Sequence, residues 1–374
     1  MWDQIILRID QPVKALILAG GRGTRLRPLT NTRNKHLLPV ANQPMIMRII
    51  LDAIDLGIKE IIININEGDT ELPRVIGNGR GLGVKIRYIE QKTPNGMMFP
   101  IKIAQDLIGD DEFLFSAGDN ILAGGLEQHY RGFRDKGSQG HVLVVKRPDY
   151  QNFGVAVTDG DRLVDTIEKP KEFISDLVLT AIYFFTPAVF DAFDQIEPID
   201  PKGTGIPEYY PPPVINWMIG KGYKFTASEV TGWWKDTGQP EDLLGANAFA
   251  LDKKEDYSIK GEIKETKLQG RIDIAKGSEV INSSIRGPVV VGNGVTIENS
   301  YIGPYTSIGN GCTVKNSMIE NSILMEGSTV SDVSARLENC ILGSDSEVLG
   351  GSRIVDGNSL MLGDNCKVLL NAHQ

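Results

Sequence analysis

Cysteine is nearly absent from this chain. Its three residues, Cys312, Cys340 and Cys366, lie far apart and never at CxxC spacing. That excludes a disulfide framework and a thiolate metal site, suits a reducing compartment and leaves the cysteines as packing residues. Histidine is as scarce, with only His36, His129, His141 and His373. No apolar run approaches the length needed to span a bilayer, and the opening "MWDQIILRIDQPV" has neither the charged flank nor the apolar stretch of a secretion signal. A cytoplasmic protein with no membrane partner is therefore expected. Basic charge is in deficit as well: 39 Lys and Arg stand against 48 Asp and Glu, a net charge of −9. A broad phosphate-attracting surface for nucleic acid is thereby excluded, so any phosphate recognition must be local.

What the chain does contain falls into two patterns that change near residue 255. Over the first part, short β-branched runs alternate with helical periodicity: "KALILA" from Lys14, "EIIININ" from Glu60, "VKIRYIEQ" from Val84, "EFLFSAGD" from Glu112 and "HVLVVK" from His141. Runs apolar throughout their length predict strands covered on both faces, and hence an α/β domain around a mixed, largely parallel sheet. Met45, Ile46, Ile49, Ile50, Ala53 and Ile54 recur at helical spacing before Gly57, which predicts a helix from about Pro44.

Beyond the polar stretch that follows Leu251, aliphatic residues stand at 291, 297, 302, 308, 314, 319, 324 and 330, in steps of five or six, with Gly and Asn between them. Three such steps make one coil of a parallel β-helix whose interior is an aliphatic stack. The domains expected are an extension over 1–13, an α/β domain over 14–252, a linker over 253–270 and a β-helix over 271–374. The open ends and flat faces of such a helix predict a subunit contact or a capping segment, and a homo-oligomer, a trimer or tetramer, is expected.

One loop concentrates charge. From Lys14 to Leu51 there are seven Lys or Arg (Lys14, Arg22, Arg25, Arg27, Arg33, Lys35 and Arg48) and no Asp or Glu, while Gly20, Gly21 and Gly23 cluster directly after the first strand. A solvated basic face explains the cations but not the glycines. A polyphosphate explains both, because glycines let the backbone approach a ligand and aim several N–H groups at it. The loop also lies where ligands bind in open α/β sheets, at the carboxyl end of a strand.

"LAGGRGTRLRPLT" and "NKHLLPV" together resemble the signature of the sugar-1-phosphate nucleotidylyltransferases that carry a left-handed β-helix tail. The resemblance runs from Val13, where the family's initiating Met usually stands, to about Lys367. It implies a Rossmann-like catalytic domain that joins a nucleoside triphosphate, dTTP first among them, to a sugar 1-phosphate, with Mg²⁺ as cofactor. It also implies residue roles. Leu18, Ala19, Gly20, Gly21, Gly23 and Thr24 would wrap the triphosphate, and Arg25 and Lys35 would bind its phosphates and stabilise departing pyrophosphate. Gln91, Pro94 and Gly96 would read the base, Asp119 and Asp236 would hold Mg²⁺, Gly154 would lie against the sugar, Glu168 would contact its hydroxyls and Lys169 its phosphate.

Three segments depart from the family pattern, all facing substrate: "MMFPIKIA" after Gly96, "YPPP" from Tyr210 in place of an acidic motif, and Ala181 where a glycine is usual. They leave the phosphate and metal residues intact. The implied acceptor therefore extends from glucose 1-phosphate to a modified or pseudo-sugar phosphate, with Tyr210 at its binding site. Two other function classes were weighed. A β-helix acyltransferase needs a histidine base, and no histidine lies within the repeats. A degenerate protein that binds nucleotide without turnover has no use for Arg25, Lys35, Asp119, Lys169 and Asp236 together.

Overall fold

The computed structural model describes residues 13–200, 205–350 and 365–368. The extension over 1–12 and His373 lie outside them. The chain divides into two compact units, one made of Met1–Arg22 and Ile46–Asp236, the other of Gly23–Met45 and Thr237–Gln374. The cationic segment is thus cut at Gly23, with Arg25 and Lys35 grouped with the C-terminal residues.

Before the β-helix, the strands are β1 (Val13–Leu18), β2 (Pro39–Val40), β3 (Gln43–Pro44), β4 (Glu60–Asn66), β5 (Lys85–Gln91), β6 (Glu112–Ala117) and β7 (Asn120–Leu122), followed by β8 (Gly140–Lys146), β9 (Gly154–Asp159), β10 (Arg162–Glu168), β11 (Leu177–Phe185), β12 (Phe225–Glu229) and β13 (Trp234–Asp236). All five runs picked out by β-branched content are strands. In the first unit nine of them form one sheet in the order β5-β4-β1-β6-β11-β8-β12-β10-β9. The sheet is mixed. Its first four strands run parallel, whereas β11 lies antiparallel to both β6 and β8. Buried Leu16, Phe113, Phe115, Tyr183, Phe185 and Phe225 anchor one apolar core of this unit.

The helix read from the Met45 to Ile54 periodicity begins later than expected, at Met47, and ends at Asp55. Its expected first turn is used otherwise. Pro44 belongs to a hairpin in which Pro39 faces Pro44 and Val40 faces Gln43. The two connecting residues, Ala41 and Asn42, both take positive φ, 50° and 62°. That is the two-residue turn whose twist matches a β-hairpin.

In the second unit the hexapeptide periodicity becomes three parallel sheets of six, five and five strands. Val280, Ile297, Val314, Val330 and Val348 stack in register along one face, and Ile274, Val291, Ile308, Leu324 and Leu342 along another. Every aliphatic position used to detect the repeat, from Val291 to Val330, is buried. Asn282, Asn299 and Asn316 occupy left-handed corners, with φ of 45°, 49° and 46°. Asparagine tolerates that conformation better than other L residues. Their side chains form a ladder, Asn282 Nδ2 to Asn299 Oδ1 at 2.8 Å and Asn299 Nδ2 to Asn316 Oδ1 at 3.1 Å. The first two strands of the prism, Glu262–Lys264 and Lys267–Gln269, fall within the stretch read as a linker. Among the described residues no helix is long and apolar enough to cross a membrane.

His129 and His141 are structural. His129 Nδ1 lies 2.6 Å from Ser228 Oγ, His141 Nε2 2.7 Å from the same hydroxyl, and His141 Nδ1 2.8 Å from Thr226 Oγ1. Burial holds both rings neutral, lowering His129 to about 4 and His141 to about 3. The unfolded chain protonates these rings below about pH 6.5 and the folded chain resists, so stability falls as pH drops from 6.5 towards 4. Asp52 acts in the opposite sense over the same window: burial, reinforced by Asp55, raises it to about 7. Comparison with a variant isolates the histidine contribution. In His129→Gln, the fall in urea-unfolding stability between pH 6 and 4.5 should be shallower than in the parent by about 1.4 kcal/mol per pH unit.

Candidate active site

In the first unit the carboxyl ends of the four parallel strands collect residues far apart in sequence. Leu18, last in β1, stands between Asn64 of β4 and Ala117 of β6. Asn66 stands beside Gln91 at the end of β5. The backbone after β1 is pinned on both sides, Ala19 N–H donating to Asn64 O at 2.7 Å and Gly118 N–H donating to Leu18 O at 2.9 Å. Gly20 comes next and packs closely: a Cβ there would sit 3.2 Å from Asn64 Oδ1 and 3.4 Å from Asn66 Oδ1.

Those two asparagines escaped the sequence reading. Their signal was visible, since polar residues alternate with isoleucine in "EIIININ". Asn64 is buried, and its Nδ2 has no hydrogen-bond partner among the described residues. A buried donor left unsatisfied is costly, and this one borders Gly20.

Asp119 and Asp236 are brought towards one another by a separate ribbon. Beyond β6 the chain turns at Gly118 and buried Asp119 into β7, which pairs antiparallel with β13 so that Asn120 faces Asp236. Asp119 is thus one residue before the pairing partner of Asp236. Buried Asn120 secures it, accepting from Trp234 Nε1 at 3.0 Å and donating to Ala181 O at 3.5 Å. Two oxygen-donor side chains without His or Cys suit a hard ion such as Mg²⁺, which keeps several positions for phosphate and water. Among the described residues no group of three or more His, Cys, Asp or Glu could hold a metal, so a carboxylate pair would need those further oxygens.

The β9–β10 hairpin assembles another cluster. Gly154 lies directly opposite Glu168, and a Cβ on Gly154 would meet Glu168 Oε2 at 3.1 Å and Leu179 Cδ1 at 3.2 Å. Lys169 follows with φ of 45°, held by its N–H to Phe153 O at 2.9 Å. A left-handed lysine stores strain of roughly 1–2 kcal/mol, and such outliers gather at functional sites. Asn216, also missed in the sequence, braces β10. Its Oδ1 accepts from Thr166 N–H at 3.0 Å and Thr166 Oγ1 at 2.8 Å, and its Nδ2 donates to Thr166 O at 2.8 Å.

Asn216 sits in the helix Pro211–Gly220, which begins directly after Tyr210. The preceding residue ties this segment to the loop of Gly96: Tyr209 N–H donates to Asn95 O at 2.7 Å, and Met98 N–H to Tyr209 O at 3.0 Å. Gly96, with φ of 93°, lies so close that a Cβ would be 2.6 Å from the Tyr209 backbone. The "MMFPIKIA" segment is therefore tied, through Met98, to the residue directly before "YPPP". Ala181 takes φ of 60° inside β11, where the pairing with β8 shifts register.

The remaining cationic residues belong to the second unit. Gly23, with φ of 58°, packs so that a Cβ would be 2.9 Å from Lys35 Cβ, and its carbonyl accepts from Thr30 Oγ1 at 2.7 Å. Asn34 caps the short helix Lys35–Leu37, accepting from His36 N–H at 3.0 Å. Arg25 lies flat over buried Gly238, where a Cβ would stand 3.0 Å from Nη2 and 3.2 Å from Cζ. Gly238 was not singled out in the sequence, where a lone glycine after "WKDT" carries no signal of its own.

Comparison with known proteins now decides the family. The nucleotidyl transferase family model matches residues 14–253, and the GMPPB C-terminal domain model matches 285–372. The chain is a nucleotidyl transferase of the sugar-1-phosphate family. It is 34% identical to the glucose-1-phosphate thymidylyltransferase of Streptomyces griseus over 96% of this chain and all of that protein, and 37% identical to that of Streptomyces antibioticus over 95% and 99%. A Haloferax volcanii UTP–glucose-1-phosphate uridylyltransferase is 32% identical over 62% of this chain and 93% of its own. Among solved structures, a Bacillus anthracis protein described as a glucose-1-phosphate thymidylyltransferase, crystallised with sucrose, matches at TM-score 0.60 and 31% identity over 65% of this chain and 97% of its own.

Two substitutions test how this nucleotidyl transferase is built. In Gly238→Ala the added methyl displaces Arg25, a flexible group, so the melting temperature should stay within about 2 °C of the parent while turnover falls by roughly tenfold. Ala181→Gly should instead raise the melting temperature by about 2 °C, because it removes left-handed strain at a position where glycine is at ease. Unchanged turnover in the first, or a lowered melting temperature in the second, would contradict these assignments.

Proposed function

We propose that this enzyme joins dTTP to a sugar 1-phosphate, either glucose 1-phosphate or a modified or pseudo-sugar phosphate, and releases pyrophosphate in a Mg²⁺-dependent reaction. The observation that carries the reading is the pairing of β7 with β13, which sets Asp236 across from Asn120, the residue that follows Asp119. The thymidylyltransferase names of relatives that span nearly the whole chain support the choice of nucleotide.

In this reading Leu18, Ala19, Gly20, Gly21, Gly23 and Thr24 carry the triphosphate, with Gln91 and Gly96 at the base. Glu168 and Gly154 receive the sugar, Tyr210 borders it, and Lys169 holds its phosphate. A phosphate oxygen of the acceptor forms a bond to the α-phosphorus while the bond from that phosphorus to the oxygen bridging to the β-phosphate breaks. The electron pair leaves with pyrophosphate. Arg25 and Lys35 offset the charge that develops on the departing group. No general base is required, since a phosphate monoester with a second pKa of about 6 is already mostly dianionic at neutral pH. Mg²⁺ held by Asp119 and Asp236 would screen α-phosphate charge and align attacker with leaving group. A homo-oligomer of three or four chains is part of the proposal, to be measured by light scattering.

The test is a pyrophosphate-release panel crossing five nucleoside triphosphates with several sugar 1-phosphates in Mg²⁺. Turnover should be highest with dTTP, and Asp119→Ala and Asp236→Ala should each lower it by at least about a thousandfold. Near-normal rates in both variants would remove the metal assignment. Nucleotide binding without turnover of any pair would favour a sensor over an enzyme.

A further inference from the structure

Within the second unit, the segment that carries Arg25 and Lys35 is fastened to the β-helix side chain by side chain. The centre of the attachment is Asn247, a fully buried carboxamide in the helix Pro240–Lys253. Its Oδ1 accepts from the backbone N–H of Ala41 at 2.9 Å and from Ser307 Oγ at 2.6 Å. Its Nδ2 donates to Tyr305 O at 3.0 Å. One side chain thus links the tip of the β2–β3 hairpin to a coil of the prism. Asn42, the other tip residue, donates from Nδ2 to Ile308 O at 2.7 Å. Arg33, between Arg25 and Lys35, reaches Ser344 Oγ at 3.3 Å. Thr237, just before the helix, donates from Oγ1 to Met45 Sδ at 2.5 Å.

We infer that the β-helix is a working part of the phosphate grip, not only an assembly or regulatory appendage: Asn247 and Asn42 are positioning residues that fix the segment bearing Arg25 and Lys35. The argument is one of buried polarity. A carboxamide placed in a fully buried helix position is costly unless its donors and acceptors are matched. Here Ser307 and Tyr305 of the prism and the backbone N–H of Ala41 in the hairpin all bond to the one side chain, so the carboxamide matches the Ala41 N–H only while hairpin and prism are held together. The hairpin itself is too short to be rigid alone, with two residues in each strand, and isolated two-stranded ribbons are marginal in water. Because Lys35 stands only four residues before β2, and Arg25 is joined to it through Gly23, movement at Ala41 and Asn42 passes into both cations.

The inference rests on the roles proposed above for Arg25 and Lys35, and the experiment separates the two. Asn42→Gly is the cleanest variant. Glycine keeps the positive φ that the turn demands, and Ile308 O retains its bond from Gly292 N–H. Stability should therefore hardly change. The KM for dTTP, and for pyrophosphate in the reverse direction, should rise about five- to tenfold while the KM for the sugar 1-phosphate stays as in the parent. Asn247→Ala should show the same split more strongly, and because it leaves buried groups unmatched its melting temperature is recorded alongside. Calorimetric binding of pyrophosphate gives a readout that does not need turnover. If parent and Asn42→Gly bind pyrophosphate and dTTP equally, the positioning role is wrong. An equal rise in both substrate KM values overturns it too. If the parent binds pyrophosphate, Asn42→Gly binds it more weakly and no sugar 1-phosphate turns over, the positioning role stands and the proposed reaction is what fails.

Discussion

Three residue pairs between β7 and β13 join stretches of chain more than a hundred residues apart, and the chemistry proposed for the first unit depends on them. Like charges separate unless something holds them, so two aspartates proposed to share a cation need a scaffold that keeps them in reach of it. Asn120, the residue after Asp119 and the pairing partner of Asp236, is buried and bonded to Trp234 and Ala181, which makes the pairing hard to relax. The end of β6 leads into this ribbon, and the neighbouring end of β1 presents Leu18 to Gly20.

The second unit solves a different problem with similar means. A cationic segment with no acidic residue of its own repels itself and would spread in water. It is ordered by Gly23 against Lys35 and Thr30, Gly238 beneath the Arg25 guanidinium, Arg33 on Ser344, Asn34 under His36 and the Asn247 node at the hairpin. The aliphatic stack of the β-helix provides a stiff base for this, since each coil is locked to the next by parallel pairing and by the asparagine ladder.

Strain marks where function has overridden local preference. Lys169 and Ala181 are both left-handed, and neither is a residue type that relieves the cost. Both border the position proposed for the acceptor. The contact between the Gly96 loop and the Tyr209 backbone has a related consequence. Through Tyr209 the segment after Gly96 is tied to the start of the proline run, so a change in one is felt by the backbone of the other.

Repeats and periodicities were legible in the sequence because they are local. Aliphatic residues every five or six positions can bury themselves only in a coil, and β-branched runs followed by glycine leave few alternatives to strand and turn. The phosphate loop was legible for a related reason, since cations and glycines confined to one short stretch have few joint uses. Asn216, Gly238 and Asn247 were not. Each is a single small or polar residue whose meaning lies in a partner brought close by folding, and one chain without that partner looks like any other. The start of the first helix was misplaced on the same account, because whether Pro44 joins a helix or a hairpin depends on what holds Ala41. Local pattern sets which elements form; long-range hydrogen bonds between residues hundreds of positions apart decide which side chains they bring together.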